Sequence, residues 1–354
     1  MPYSNMSASN WSAGAPDVGA ENAGTFEQAT FDLIMGMWLP GAICLLGLFG
    51  NALSLLVLAR DKTGAVTFIS LRALAASDLL LLGGALCQQV VPLMCATSSN
   101  QDAFCRNQGY IRVYTWPIIC IAQMCSIWMT VLISSERYVA ICYPLRASHV
   151  CSAGRIRKMV VVIYLVSALF NIPKFFEFRP VTELSEANVT FVVVGSTALR
   201  QNLLYRYLYN TGFHFIIIFA LPMITLTVLN TRIVKEIKKA RKVWACLHRK
   251  RKLEFKATVL PLVIVLVYFV CGTQSLIAFV LDAVFVKFHL WLQIYTAVVN
   301  LLVIINSAVH FILLYAFGGK FRKMLAQLFA CEADDTAPNN SQLKLLPPST
   351  KSRT

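Results

Sequence analysis

Charge is scarce in this 354-residue chain: 14% of its residues are Asp, Glu, Lys or Arg, against 57% that are hydrophobic. Too little polar surface remains to cover a water-soluble core, which excludes a soluble globular domain and places the chain in lipid. Lys and Arg are missing altogether from residues 1–31. Cysteine is missing from the segment between about Lys174 and Asn210. No short apolar run with a small-residue cleavage pattern precedes the first long apolar stretch, so that stretch itself is expected to direct insertion. Internal repeats are also absent, which counts against a transporter built from duplicated halves.

What the chain has in abundance is long apolar runs, near 34–60, 67–94, 108–142, 155–176, 204–236, 256–282 and 289–316. Each has about the 20 residues a helix needs to cross a bilayer. The runs are continuously apolar, whereas lipid-facing strands would alternate over about 10 residues, so helices are expected rather than a barrel. The expected fold is an all-α membrane protein: a seven-helix bundle over 34–316, a short amphipathic surface helix over 317–331 and a disordered tail over 332–354, preceded by a tail over 1–33.

Residues 1–31 carry Asp17, Glu21 and Glu27 and the sequons at Asn5 and Asn10. Positive charge gathers instead between the fifth and sixth runs, at Arg232, Lys235, Lys238, Lys239, Arg241, Lys242, Arg249, Lys250, Arg251, Lys252 and Lys256. The positive-inside rule puts that loop in the cytoplasm and the N-terminus outside, as a glycosylated tail. A third sequon, at Asn188, is expected outside. The formal charge of +15 does not point to nucleic acid, because the cations flank membrane runs without aromatic interleaving. Their ordinary role is to set topology and touch anionic lipid. Of the eleven cysteines, Cys95 and Cys105 lie between the second and third runs on the oxidising side and could close a small disulfide loop.

The third run ends in Ser135-Glu136-Arg137-Tyr138-Val139-Ala140-Ile141-Cys142-Tyr143-Pro144-Leu145. An acid-Arg-Tyr triplet there, followed by a Pro-Leu loop, resembles the rhodopsin-like G-protein-coupled receptors. The resemblance implies a cell-surface receptor that works through a heterotrimeric G protein, with Glu136 holding Arg137 when inactive, Tyr138 completing the triplet, and Glu254 as a second acid tying helix three to helix six. It also implies a departure, because the family usually staples helix three to the second extracellular loop. Arg112 stands where that cysteine is expected, so the loop must be held by packing or hydrogen bonds. Phe321, Leu325, Leu328 and Phe329 form an apolar stripe after the seventh run, and Cys331 is a palmitoylation candidate.

An ionisable side chain at bilayer depth is a functional candidate by default. Asp78, with Asn51, Ser126, Asn306 and Ser307, matches the polar cluster of the family, where such partners can bind a sodium ion. Asp78, Ser126, Asn306 and Ser307 would supply the oxygens; a water-filled cluster without an ion is the alternative. His310 replaces the Asn of the usual Asn-Pro-x-x-Tyr motif, with Phe311 and Leu314 at its Pro and Tyr. A protonated His310 beside Asp78 would replace sodium and make signalling pH-sensitive, whereas a neutral, hydrogen-bonded His310 is the ordinary reading. In run six, Cys271-Gly272-Thr273-Gln274 replaces the usual Cys-Trp-x-Pro.

Ile121-Ala122-Gln123, the triplet through Arg146-Ala147, Tyr164 to Glu177 and Asn300 to Ser307 resemble the FMRFamide-type neuropeptide receptors of invertebrates. An Arg-Phe-amide ligand would need a carboxylate for its guanidinium and an aromatic floor. Glu177 and Asp282 are the candidate acids; Gln88, Gln123 and Gln274 are candidates for the amide terminus, and Tyr114, Trp116, Phe279 and Trp291 for the pocket wall. Each is otherwise an ordinary packing or lipid-facing residue. Run three has no acid from Tyr110 to Ser126, which argues against an amine ligand. His214, His289 and His310 are isolated, so no enzyme and no cofactor beyond the possible sodium are expected. Three other readings stay open: a receptor for a different ligand, a constitutive or decoy receptor, and a multi-pass transporter.

Overall fold

The computed structural model describes residues 34–61, 66–97, 102–184, 189–244 and 290–335, with positions 263, 266–267, 269–274 and 277. Among these residues six helices are long and apolar enough to cross a membrane: Leu39–Ala59, Val66–Cys95, Gln108–Cys142, Ala153–Phe176, Tyr205–Lys239 and Ile294–Ala316. Run 256–282 lies outside the described residues apart from the scattered positions. Buried in lipid, backbone N–H and C=O groups have no water to turn to, so each run satisfies them within a helix.

The elements that matter below are α1 (Leu39–Ala59), α2 (Val66–Ala85), α3 (Gln108–Cys142), α4 (Ala153–Phe170), α5 (Leu221–Trp244), α6 (Leu290–Phe317) and α7 (Gly319–Asp335). Three wide π turns, Ile34–Trp38, Leu86–Val90 and Phe215–Ala220, each end two residues before a proline, at Pro40, Pro92 and Pro222. A proline inside a helix lacks the N–H and its ring crowds the carbonyl four residues back; widening the turn by one residue relieves both.

Small residues let the helices approach closely. A Cβ placed on Gly47 of α1 would lie 2.7 Å from Ala308 of α6, and one on Gly50 would lie 2.8 Å from Phe311. Toward the end of the bundle that carries Arg137, Leu58, Leu74, Met129, Ile133, Leu314 and Phe321 form the main apolar core. By contrast, Met159, Val161, Val162, Leu165, Val166 and Leu169 of α4 are exposed, an apolar face suited to lipid.

At the opposite end, β1 (Phe178–Leu184) and β2 (Thr190–Ser196) form an antiparallel hairpin with Phe178 opposite Ser196. Gly109 lets the backbone of Val192 rest against the start of α3; any Cβ there would collide with the Val192 carbonyl. Packing and hydrogen bonds thus hold this loop, while Cys95 and Cys105 pair with each other, Cα atoms 5.3 Å apart.

The surface helix differs in extent from the expected 317–331. Phe317 still belongs to α6, and Gly318 turns the chain, its N–H donating to the Leu314 carbonyl (2.8 Å). The following helix runs to Asp335, so residues 332–335, expected in the disordered tail, are helical. Phe321 and Leu325 are buried and Leu328 packs against the same core. Arg322 caps the carbonyls of Tyr315 and Ala316, and Lys320 pairs with Asp61 at 3.2 Å.

Candidate functional site

Three polar assemblies lie along the bundle. In the middle, Asp78 of α2 is fully buried. Ser126 Oγ of α3 donates to its Oδ1 at 2.8 Å, and His310 Nδ1 of α6 lies 2.6 Å from its Oδ2. Three helices therefore meet on one carboxylate. Beside it, Asn51 Nδ2 donates to the carbonyls of Gly47 (2.9 Å) and Ser307 (3.2 Å), fastening α1 to α6. Of the four residues expected to ligate sodium, Asp78 and Ser126 come together. Asn306 Oδ1 and Ser307 Oγ are buried without a hydrogen-bond partner. A cavity lined by Asn51, Ser54, Leu71, Leu74, Ala75, Leu314 and His310 adjoins the pair.

At the core-bearing end, Glu136 and Arg137 attract each other through space without closing the expected direct ion pair. Adjacent helical residues point about 100° apart, and each finds its own partner on or beside α2. Ser70 Oγ donates a very short bond to Glu136 Oε1, while Arg137 donates from Nη2 to Thr67 Oγ1 at 2.7 Å. Glu136 Oε2 and Arg137 Nε are buried and unpartnered. Tyr138 stacks edge-on against Tyr143, centroids 5.7 Å apart. Glu254 lies outside the described residues.

At the hairpin end, Glu177 follows α4 through a tight turn at Ile172–Phe176 and is fully buried. Its Oε1 lies 3.0 Å from Lys174 Nζ, 3.8 Å from Arg200 and 3.0 Å from the Tyr205 hydroxyl, which donates to it; its Oε2 accepts from Trp116 Nε1 at 3.1 Å. Lys174 also donates to Asn210 Oδ1 at 2.5 Å. Burial alone would raise the Glu177 carboxyl, but Lys174 and Arg200 outweigh it and hold the group below the usual carboxylate range. Glu177 is thus not an open acid awaiting a ligand guanidinium, as the sequence suggested; it is the knot joining α3, α4 and the hairpin. Trp116, expected on a pocket wall, is part of that knot and meets Phe178 edge-on at 6.2 Å.

The other pocket candidates scatter. Gln88 donates to Thr115 Oγ1 and to the Arg112 carbonyl, bracing α3. Gln274 accepts from Tyr295, and Gln123 is half-buried on α3. Tyr114 is 59% exposed on one stripe of α3 with Tyr110 and Ile118, a spacing that repeats each helical turn. Phe279, Asp282, Asn5, Asn10 and Asn188 lie outside the described residues, as do the side chains of Trp291 and Cys331 within their helices. Sequence reasoning missed Thr67, Ser70, Lys174 and Asn210. Only Lys174, a cation three residues before an acid at a helix end, left a readable signal.

A buried acid shared by three helices, an acid-Arg-Tyr triplet at one end and a hairpin across the other define a seven-helix membrane receptor. The chain belongs to the rhodopsin family of 7 transmembrane receptors, whose family model matches residues 50–310. It is 28% identical over 298 residues to the FMRFamide receptor of Drosophila melanogaster, covering 82% of this chain and 54% of that receptor. Over 302 residues it is 28% identical to FMRFamide peptide receptor frpr-18 of Caenorhabditis elegans, covering 80% of this chain and 66% of that protein. Neuromedin-U receptor 1 of Rattus norvegicus is 28% identical over 210 residues, 56% of this chain and 45% of its own length. The chain thus spans about half the length of the Drosophila receptor it matches and about two thirds of the nematode one.

Proposed function

We propose that this chain is a plasma-membrane receptor, N-terminus outside, opened by an extracellular amidated neuropeptide of the FMRFamide type and signalling through a heterotrimeric G protein. The observation that carries the signalling half is Arg137. Its guanidinium is held at the bundle end by a hydrogen bond to neutral Thr67 and no ion pair among the described residues. A single bond to a charged group contributes about 1.5–3 kcal/mol, so docking of a partner's acceptor suffices to release it. The peptide half is supported by the named ligands of the Drosophila and Caenorhabditis relatives. Because Glu177 is saturated, Asp282 becomes the leading acid for a ligand arginine, with Phe279 and Trp291 as aromatic floor and Gln123 near the amide terminus. Lipid is the third partner: α7, anchored to the bundle core by Phe321 and Leu325, runs along the inner leaflet, and Cys331 is the acylation candidate. The tail sites Asn5 and Asn10, with Asn188, carry glycans in this orientation.

A second-messenger assay on cells expressing the chain, with amidated peptides ending in Arg-Phe and their free-acid and Arg-less counterparts, tests the reading. A saturable response to the amidated Arg-Phe set, lost in Arg137→Ala and weakened in Asp282→Asn at equal surface level, is expected. Equal responses to all peptides, or none despite surface expression, would overturn the peptide assignment.

A further inference from the structure

We propose that His310 is the resident counter-group of Asp78, and that this receptor has no sodium site where its family resemblance leads one to expect one. A monovalent cation needs several bare oxygens converging on it. Both oxygens of Asp78 are already taken, Oδ1 by the Ser126 hydroxyl and Oδ2 by the His310 imidazole. Asn306 Oδ1 and Ser307 Oγ do not bond to Asp78, so the carboxylate's two bonds come from Ser126 and His310.

Ser126 from α3 and His310 from α6 are the side chains that bond to Asp78 among the described residues. His310 is the one ionisable side chain that bonds to Asp78 among the described residues. An isolated buried carboxylate is costly and has to be paired. In this chain a covalently anchored imidazole performs that pairing, and it also ties α2 to α6. A diffusible ion would leave those two helices unlinked whenever it departed, whereas the imidazole does not leave.

The test is thermal unfolding of the purified full-length receptor in phosphatidylcholine nanodiscs, with sodium exchanged for potassium or N-methylglucamine at constant chloride. The wild type is expected to unfold at the same temperature in all three salts. His310→Asn uncovers Oδ2 and adds an amide oxygen, so it is expected to acquire a saturable, sodium-specific rise in unfolding temperature. His310→Gln serves where the Asn variant does not fold. A saturable sodium-specific rise in the wild type overturns the proposal, and so does a folded His310 variant that remains indifferent to sodium. No agonist enters the measurement, so its outcome is separable from the fate of the peptide reading.

Discussion

Trp116 Nε1 on α3 donates to Glu177 Oε2 across 3.1 Å, joining the centre of the bundle to the root of the hairpin. Around that bond Lys174, Arg200 and Tyr205 complete a network one helical turn along α3 from Arg112, the position where the family resemblance would put a disulfide cysteine. Removing the acid leaves Lys174, 5% exposed, without its anion. Glu177→Gln is therefore expected to lose about 3 kcal/mol of stability, since breaking a buried pair strands the remaining charge. Trp116→Phe, which deletes one bond to a charged group, should lose about 2 kcal/mol. Thermal unfolding of both variants in nanodiscs checks this, and a Glu177→Gln receptor as stable as wild type would remove the knot from the account.

The same acid sets an acid limit. Its carboxyl lies below the usual carboxylate range in the folded protein, so folding favours the ionised form. That contribution is fully present above the ordinary, unfolded-state carboxylate pKa and is lost as pH falls through the depressed folded value. Wild-type unfolding temperature should drop on acidification through that window. Glu177→Gln, with no proton to bind, should show a shallower drop; parallel curves would contradict the assignment.

Gly109 lies under the Val192 carbonyl with no room for a methyl group. Gly109→Ala should push the hairpin off α3 and expose backbone amides of Thr190–Ser196. Faster hydrogen exchange confined to the two strands and the start of α3 is the expected signature. Unchanged protection would mean the hairpin is held elsewhere.

Thr67 and Arg137 make the opposite kind of prediction. Thr67→Val deletes the hydroxyl that restrains the guanidinium at 2.7 Å. Losing about 1.5 kcal/mol of restraint, the low end for such a bond, corresponds to a little over tenfold in the balance between held and released forms. Ligand-independent G-protein activation should rise by up to that factor in Thr67→Val, stay near wild type in Thr67→Ser and vanish in Thr67→Val combined with Arg137→Ala. A Thr67→Val receptor with unaltered basal signalling would show that the bond does not restrain the switch.

Helical spans and the triplet at Arg137 were legible from run length and a short motif; the places of Asp78, Ser126 and His310 beside one another were legible through the family resemblance. The Cys95–Cys105 pairing was legible as a possibility, since both lie between the same two spans. What each acid would bind was not. Glu136 and Glu177 both looked available for a guanidinium, one within the chain and one from a ligand. Glu136 turned instead to Ser70, 66 residues earlier, and Glu177 was claimed by Trp116, 61 residues earlier, and Tyr205, 28 residues later.

The difference has a physical cause. Apolar run length, turn residues and charge asymmetry act locally or against a uniform solvent, so the sequence alone determined that this chain crosses the membrane as helices and where its polar exceptions lie. Pairing of buried polar groups depends on which helix faces meet and at what height, and a shift of one residue rotates a side chain by about 100°. Only the tertiary structure decided that the imidazole bonds to Asp78 Oδ2 while Ser126 takes Oδ1, that Arg137 rests on a hydroxyl and that Glu177 is already satisfied.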